Sequence, residues 1–187
     1  MNDSQVRSAF HASILGKAHL CNDTIILNEL GLKNGECRAD IAVLNGKMIG
    51  YEIKTEKDNL IRLKSQVKNY SQIFDKAFII VAEKHFKKAK NMIPDWWGIY
   101  LIEPTNETYR FNNTRKGKTN PSQISFSIAQ LLWKQEALEV ANTLLKCNLK
   151  SSTNRQAVYE IISLKCEAKK LSKIVMEYLK KREGWRA

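Results

Sequence analysis

The sequence predicts an α/β fold, a mixed sheet with the element order αβββαβ followed by a C-terminal helical extension. Three observations carry that expectation. Val6, Phe10 and Ile14 recur every four residues, two alternating segments flank Asn45-Gly46, and the unbroken apolar run Ala77-Phe-Ile-Ile-Val-Ala82 follows an amphipathic segment. Those patterns read as a helix, a β-hairpin, and a buried strand reached by a helical crossover.

Residues 4 to 18 form the first expected helix, with Ser4 as its N-cap. Thr24 to Leu30 is β-rich and ends at Gly31. Arg38 to Leu44 and Met48 to Thr55 are the hairpin strands. Asp58 to Phe74 is expected as a helix with Asp58 near its N-cap and Leu60, Leu63, Val67, Tyr70 and Phe74 on one face. Ala77 to Ala82 follows as a strand, Lys84 to Met92 as a short basic helix, and Gly98 to Ile102 as another strand. The Pro-, Asn- and Thr-rich residues 103–121 read as a loop. Beyond it helices are expected over 127–146, 154–165 and 167–182. The resulting organisation is a core over residues 1–102, a loop over 103–121, and a basic helical extension over 122–187 packed on the core.

A chain of 187 residues, 43% hydrophobic and 27% charged with eight Gly and three Pro, has the composition of one folded domain. Disorder and two large domains are excluded. No apolar run approaches the roughly 20 residues that cross a bilayer, and the first residues lack the basic start and apolar stretch of a signal peptide. The expectation is a cytoplasmic protein with no membrane partner and reduced cysteines. His19, Cys21 and Cys37 lack the paired spacing of a structural zinc site.

The formal charge is +12, and it is one-sided. Residues 1–83 hold 11 basic and 10 acidic side chains, residues 84–187 hold 20 and 9. Such a field favours a polyanion, above all nucleic acid, because each neutralised phosphate releases counterions. The last helix contributes Lys180, Lys181 and Arg182, the candidate phosphate contacts. The sequence leaves the oligomeric state open, a homodimer included.

The chemistry concentrates in Arg38-Ala-Asp40 on one hairpin strand and Glu52-Ile53-Lys54 on the next. Asn28-Glu29-Leu30 precedes them; Asp58-x-x-x-Arg62-Leu63 and Gln66-x-x-x-Tyr70 follow. Together these residues resemble the PD-(D/E)XK nuclease superfamily, and in the flanking motifs a small, largely uncharacterised bacterial branch of it. The likeness covers residues 1 to 102; Ala39 stands where the superfamily's naming proline would be.

The resemblance implies a restriction-endonuclease-like core and Mg²⁺-dependent hydrolysis of nucleic acid phosphodiesters, with DNA as the substrate and Mn²⁺ able to substitute. Asp40, Glu52 and the Ile53 carbonyl would be the metal ligands, and Lys54 would orient water or stabilise the transition state. The residue types suit that chemistry: hard Mg²⁺ wants a few oxygen ligands, and phosphodiester cleavage needs developing charge neutralised. A non-cleaving nucleic-acid-binding module on the same fold is the alternative. Glu29 could add a carboxylate or end a strand in solvent. Gln66 and Tyr70 share a helical face, so they could touch the site, or Tyr70 could be core and Gln66 surface. Asp58 with Arg62 reads as a cap and ion pair, and Trp96-Trp97 as core.

Strand parity tests this assignment. A two-residue Asn45-Gly46 turn would pair Leu44 with Lys47 and put Asp40 on the face opposite Glu52. A three-residue loop of Leu44, Asn45 and Gly46 would pair Val43 with Lys47, set Asp40 diagonal to Glu52, and gather Ile41, Val43, Ile49, Tyr51 and Ile53 on the other face. An odd-length turn is therefore expected.

Overall fold

Six strands form one mixed sheet in strand order β1-β2-β3-β4-β5-β6, in a computed structural model that describes residues 2–182. Helix α1 (Asp3–Ser13) is capped by Asn2, whose side chain accepts from the Ser4 amide at 2.8 Å, so the cap lies two residues ahead of the expected Ser4. The expected helix over 4–18 breaks after Ser13, where the Ile14 and Leu15 amides both converge on the Phe10 carbonyl, and restarts as α2 (Gly16–His19). Strands β1 (Ile25–Leu32), β2 (Cys37–Leu44) and β3 (Met48–Lys54) run antiparallel in sequence order.

Helix α3 (Leu63–Ile73) then crosses to β4 (Lys76–Ala82), parallel to β3, and α4 (Glu83–Met92) crosses to β5 (Gly98–Pro104), parallel to β4. The order αβββαβ is thus present, extended by a further helix and strand. Helix α3 starts later than Asp58 because that carboxylate closes a turn, accepting from both the amide and the hydroxyl of Thr55 at 2.7 Å.

The stretch 103–121 is not wholly a loop. Tyr109–Arg115 forms β6, antiparallel to β5, with Phe111 buried and its neighbours Arg110 and Asn112 exposed. An edge strand with one wet face tolerates the Asn and Thr content that masks its alternation in the sequence.

The C-terminal helices are α5 (Ser125–Ala129), α6 (Lys134–Glu139) running into a π turn at Val140–Leu144, α7 (Arg155–Lys165) and α8 (Ala168–Lys181). The expected single helix over 127–146 breaks between α5 and α6. There the Leu132 carbonyl accepts from Tyr159 Oη at 2.6 Å and the Leu131 carbonyl from Arg182 at 2.7 Å, so tertiary partners replace the helical ladder.

Alternation along the strands splits the core in two. On one face α1 packs Val6 and Phe10 against Ile41, Val43, Tyr51, Ile53, Phe78, Ile80 and Phe111. On the other, Ala42, Leu44, Met48, Ala77, Ile79 and Val81 meet α3 and the C-terminal helices in one continuous cluster reaching Leu179. Trp96 and Trp97 belong to that second cluster. Asn120 fastens the approach to the extension by donating to the Ser71 and Phe74 carbonyls at 2.7 Å, and Ser172 on α8 bonds Asp75 at 3.1 Å. Among the described residues no helix is long and apolar enough to cross a membrane.

Candidate functional site

The β2–β3 hairpin sets the site. Ile41 lies opposite Tyr51 and Leu44 opposite Met48, leaving a three-residue loop of Asn45, Gly46 and Lys47 with Gly46 at φ 62°. The turn has the expected odd length but sits one residue further along. Continued by one residue, the observed register sets Asp40 directly opposite Glu52 rather than diagonal to it. Both therefore share the α3 face of the sheet, while Ile41, Val43, Tyr51 and Ile53 fill the core beneath α1, with Ile49 packed against it.

Past Ile41 the ladder yields to side chains: Asp40 Oδ2 accepts the Ile53 amide at 2.7 Å. In an extended strand the N–H and C=O of one residue point to the same edge, so the Ile53 carbonyl faces Asp40 as well. Glu52 is fully buried, and each of its oxygens is held: Oε1 by Lys54 Nζ at 2.5 Å and by Gln66 Nε2, Oε2 by the Tyr70 hydroxyl at 2.7 Å. Tyr70 Oη also receives the Asp40 amide at 3.3 Å. Tyr70 is thus both core and site: its ring packs with Phe74 and Trp97 while its hydroxyl bridges the two acidic strands. Gln66, one helical turn earlier, reaches the same carboxylate.

Burial dominates the electrostatics. It pushes Asp40 up to about 8, with the Glu52 charge adding to the rise and the Ile53 amide and Lys54 opposing it. Burial likewise raises Glu52, against the pull of Lys54, Tyr70 and Gln66. Two carboxylates on one face with raised proton affinity form a site that a divalent cation would relieve. Among the described residues no three His, Cys, Asp or Glu side chains cluster as a metal centre. An ion here would have Asp40, Glu52 and the Ile53 carbonyl, which suits Mg²⁺, an ion that keeps several waters and takes one or two carboxylates.

These residues line an open cleft of about 820 Å³ that also exposes Arg7, Arg38, Arg62, Ser65 and Asn69. Glu29 lies on its rim, opposite Asp40 in the β1–β2 register and at φ 55°. Its Oε1 pairs with Arg7 at 2.6 Å and its Oε2 stands 3.5 Å from Arg38, so guanidinium groups flank it on the rim. Sequence reasoning missed Arg7. The available signal was its i,i+4 spacing from Asp3, with which it pairs at 2.9 Å.

A profile of the bacteriophage P4 protein cII family matches residues 3–185. The chain belongs to that family. The match spans the sheet and the helical extension alike, so both are parts of the cII-family unit. Protein cII of Enterobacteria phage P4 is 27% identical over 168 residues, 90% of this chain and 63% of that relative, so the chain spans under two thirds of the relative's length. A solved structure of a protein of unknown function from Silicibacter pomeroyi is similar at 12% identity and a TM-score of 0.48, covering 82% of this chain and 98% of its own.

The last helix of this cII-family chain alters one expectation. Arg182 does not present its guanidinium to a phosphate: it is bound to Glu136, with Nε at 2.7 Å from Oε1, and lies over the Trp133 ring at 4.2 Å. A largely buried guanidinium needs such a partner, and Glu136 supplies it. Lys180 is mostly covered and stands 4.0 Å from Glu177, whereas Lys181 is exposed.

Proposed function

We propose that this chain is a metal-dependent nuclease of the PD-(D/E)XK type that hydrolyses phosphodiester bonds of nucleic acid, with DNA as its substrate. The observation that carries the reading is the convergence of Asp40 and Glu52 on one face of the hairpin, with Lys54 and Gln66 on the same carboxylate. Asp40, Glu52 and the Ile53 carbonyl would hold Mg²⁺ or Mn²⁺. When bound, the ion supplies charge neutralisation at the phosphate and lowers the pKa of the attacking water.

The chain's own residues do the rest. Lys54, fixed beside Glu52, brings positive charge to the phosphate oxygens where negative charge develops. Tyr70 and Gln66 hold the Glu52 carboxylate in place. Arg38 and Arg62 along the cleft suit successive phosphates of a backbone, and the net charge of +12 favours its approach.

One observation favours a second reading, a nucleic-acid-binding module that does not cut: both Glu52 oxygens already have protein donors. Purified protein is incubated with end-labelled single-stranded, duplex and branched DNA, and with RNA, plus Mg²⁺ or Mn²⁺, beside Asp40→Ala. The nuclease reading expects metal-dependent fragments from wild type and none from Asp40→Ala. Salt-sensitive binding without fragments under every condition would replace it with the second reading.

A further inference from the structure

His11 and His19 meet on the far side of Arg7 from the carboxylate cleft. The α1–α2 break brings them together. Leu15, buried in the core, accepts the His19 amide at 3.0 Å and ties its own amide to Phe10, so α2 folds back beside α1. His11 Nδ1 and His19 Nε2 then stand 3.0 Å apart, with ring planes inclined at 35°.

We infer that His11 and His19 form a binding site for a borderline transition-metal cation such as Zn²⁺ or Ni²⁺, separate from the Asp40–Glu52 cleft. Neighbouring nitrogen ligands at about 2.0–2.1 Å from a four- to six-coordinate ion lie ~2.9–3.3 Å from one another, and the observed separation falls inside that range. Asn28 fixes the tautomer. Its Oδ1 lies 3.0 Å from His11 Nε2, and an amide oxygen only accepts, so Nε2 carries the proton and Nδ1 turns its lone pair toward His19. A ligating imidazole held through its other nitrogen in this way is the usual outer arrangement of metal-bound histidine. Without an ion, the same distance is met by a single hydrogen bond from His19 Nε2–H to His11 Nδ1.

The surroundings fit a cation. Arg7 borders the same pocket, but its charge is offset by Asp3 at 2.9 Å and Glu29 at 2.6 Å. The pocket, about 500 Å³ and lined also by Ser8, Ala12 and Gly16, has room for waters to complete the coordination shell. Among the described residues no further His, Cys, Asp or Glu joins the pair, so binding is weaker and more exchangeable than at a four-ligand structural zinc site. Imidazole ligands select Zn²⁺, Ni²⁺ or Cu²⁺ over Mg²⁺, whereas the carboxylate cleft takes Mg²⁺ and these ions alike, so the histidine pair is read with the cleft disabled by Asp40→Asn.

The test is calorimetric titration of the untagged full chain with Zn²⁺ and with Ni²⁺, for wild type and for Asp40→Asn alone and combined with His11→Ala, His19→Ala or Cys21→Ser. Asp40→Asn, with the carboxylate cleft disabled, should keep one equivalent, unchanged by Cys21→Ser and bound about tenfold or more weakly when either histidine is replaced. Titration of the imidazole Cε1–H resonances should show both rings perturbed by the same equivalent of metal. His19 is exposed, so His19→Ala is expected to fold and decides the matter if His11→Ala does not. Undiminished binding when His19→Ala is added to Asp40→Asn, or no Zn²⁺ or Ni²⁺ binding by Asp40→Asn, would overturn the inference. Nuclease activity enters none of these readouts.

Discussion

The Tyr70 hydroxyl donates to Glu52 Oε2 at 2.7 Å, both side chains being fully buried, and the hydroxyl oxygen of Tyr70 accepts the Asp40 amide at 3.3 Å. One phenol therefore braces the two strands that carry the acidic residues. Tyr70→Phe keeps the ring packing against Phe74 and Trp97 but leaves Glu52 Oε2 and the Asp40 amide without this partner. The expected loss is ~1–3 kcal/mol of unfolding free energy by urea denaturation. Metal-dependent cleavage should fall roughly 10–100-fold, as for other residues that orient metal-ligating side chains. Wild-type cleavage in Tyr70→Phe would remove the hydroxyl from the positioning of Glu52.

Asp40 gives a pH dependence of definite sign. Its folded-state pKa, about 8, lies above the ordinary carboxylate value, so the folded chain binds the proton more tightly than the unfolded one. The favourable contribution is fully present below the unfolded pKa and is lost as pH rises through about 8. Thermal melts in a chelator should show stability falling from mildly acidic pH toward pH 8, with Asp40→Asn flattening the decline. Mg²⁺ or Mn²⁺ should restore the wild type at the alkaline end and leave Asp40→Asn unchanged. A wild-type profile identical to that of Asp40→Asn would show that Asp40 does not titrate in this window.

The three basic residues at the end of α8 should separate in function. Arg182→Ala removes the ion pair with Glu136 and the stack on Trp133, and breaking such a largely buried pair costs about 3–5 kcal/mol. Lys180→Ala with Lys181→Ala should leave the fold intact. If both contact phosphates, the slope of log binding constant against log salt falls by about 2. Fluorescence anisotropy on a labelled DNA across a salt series measures it. An unchanged slope would assign those lysines to the solvated surface.

Gly50 lets α3 approach the sheet closely enough for Gln66 and Tyr70 to reach Glu52. A Cβ there would lie 2.5 Å from Phe74 Cδ2, inside a fully buried ring. Gly50→Ala should cost ~1–3 kcal/mol by overpacking. At this chain length each kcal/mol lowers Tm by about 2–4 °C in calorimetry. Gly16→Ala, where a Cβ meets nothing within 4 Å, is the control. Equal melting temperatures for the two variants would mean that the α3 contact yields freely.

The site was legible where a local rule sufficed. Side chains on a strand alternate, so the apolar set Ile41, Val43, Tyr51 and Ile53 and the acidic pair Asp40 and Glu52 demand the same pairing parity, and the hairpin adopts it. The loop's placement was off by one because Leu44 is needed in the core, where it is fully buried. What the sequence hid depends on distant partners. Glu29 reads as a free carboxylate until Arg7 and Arg38 are seen beside it. Arg182 looks like part of a basic run until Glu136, 46 residues earlier, takes its guanidinium. Strand β6 shows little apolar alternation because only Phe111 turns fully inward, and it is recognisable through its partner β5.

The cluster on the α3 face, running from Leu27 on β1 to Leu179 on α8, bears on how the chain folds during synthesis. Once β5 has left the ribosome β1 to β5 can pair, but this cluster stays incomplete until the last helix emerges about 80 residues later. At roughly 5–20 residues per second that interval is on the order of 4–16 s. During it the part of the cluster to which the C-terminal helices contribute lacks their side chains, and bare apolar surface is what chaperones hold and nascent chains use to aggregate. The helices after Asn120 are therefore the closing layer of the nascent sheet, and translation slowed within them would lengthen its exposure.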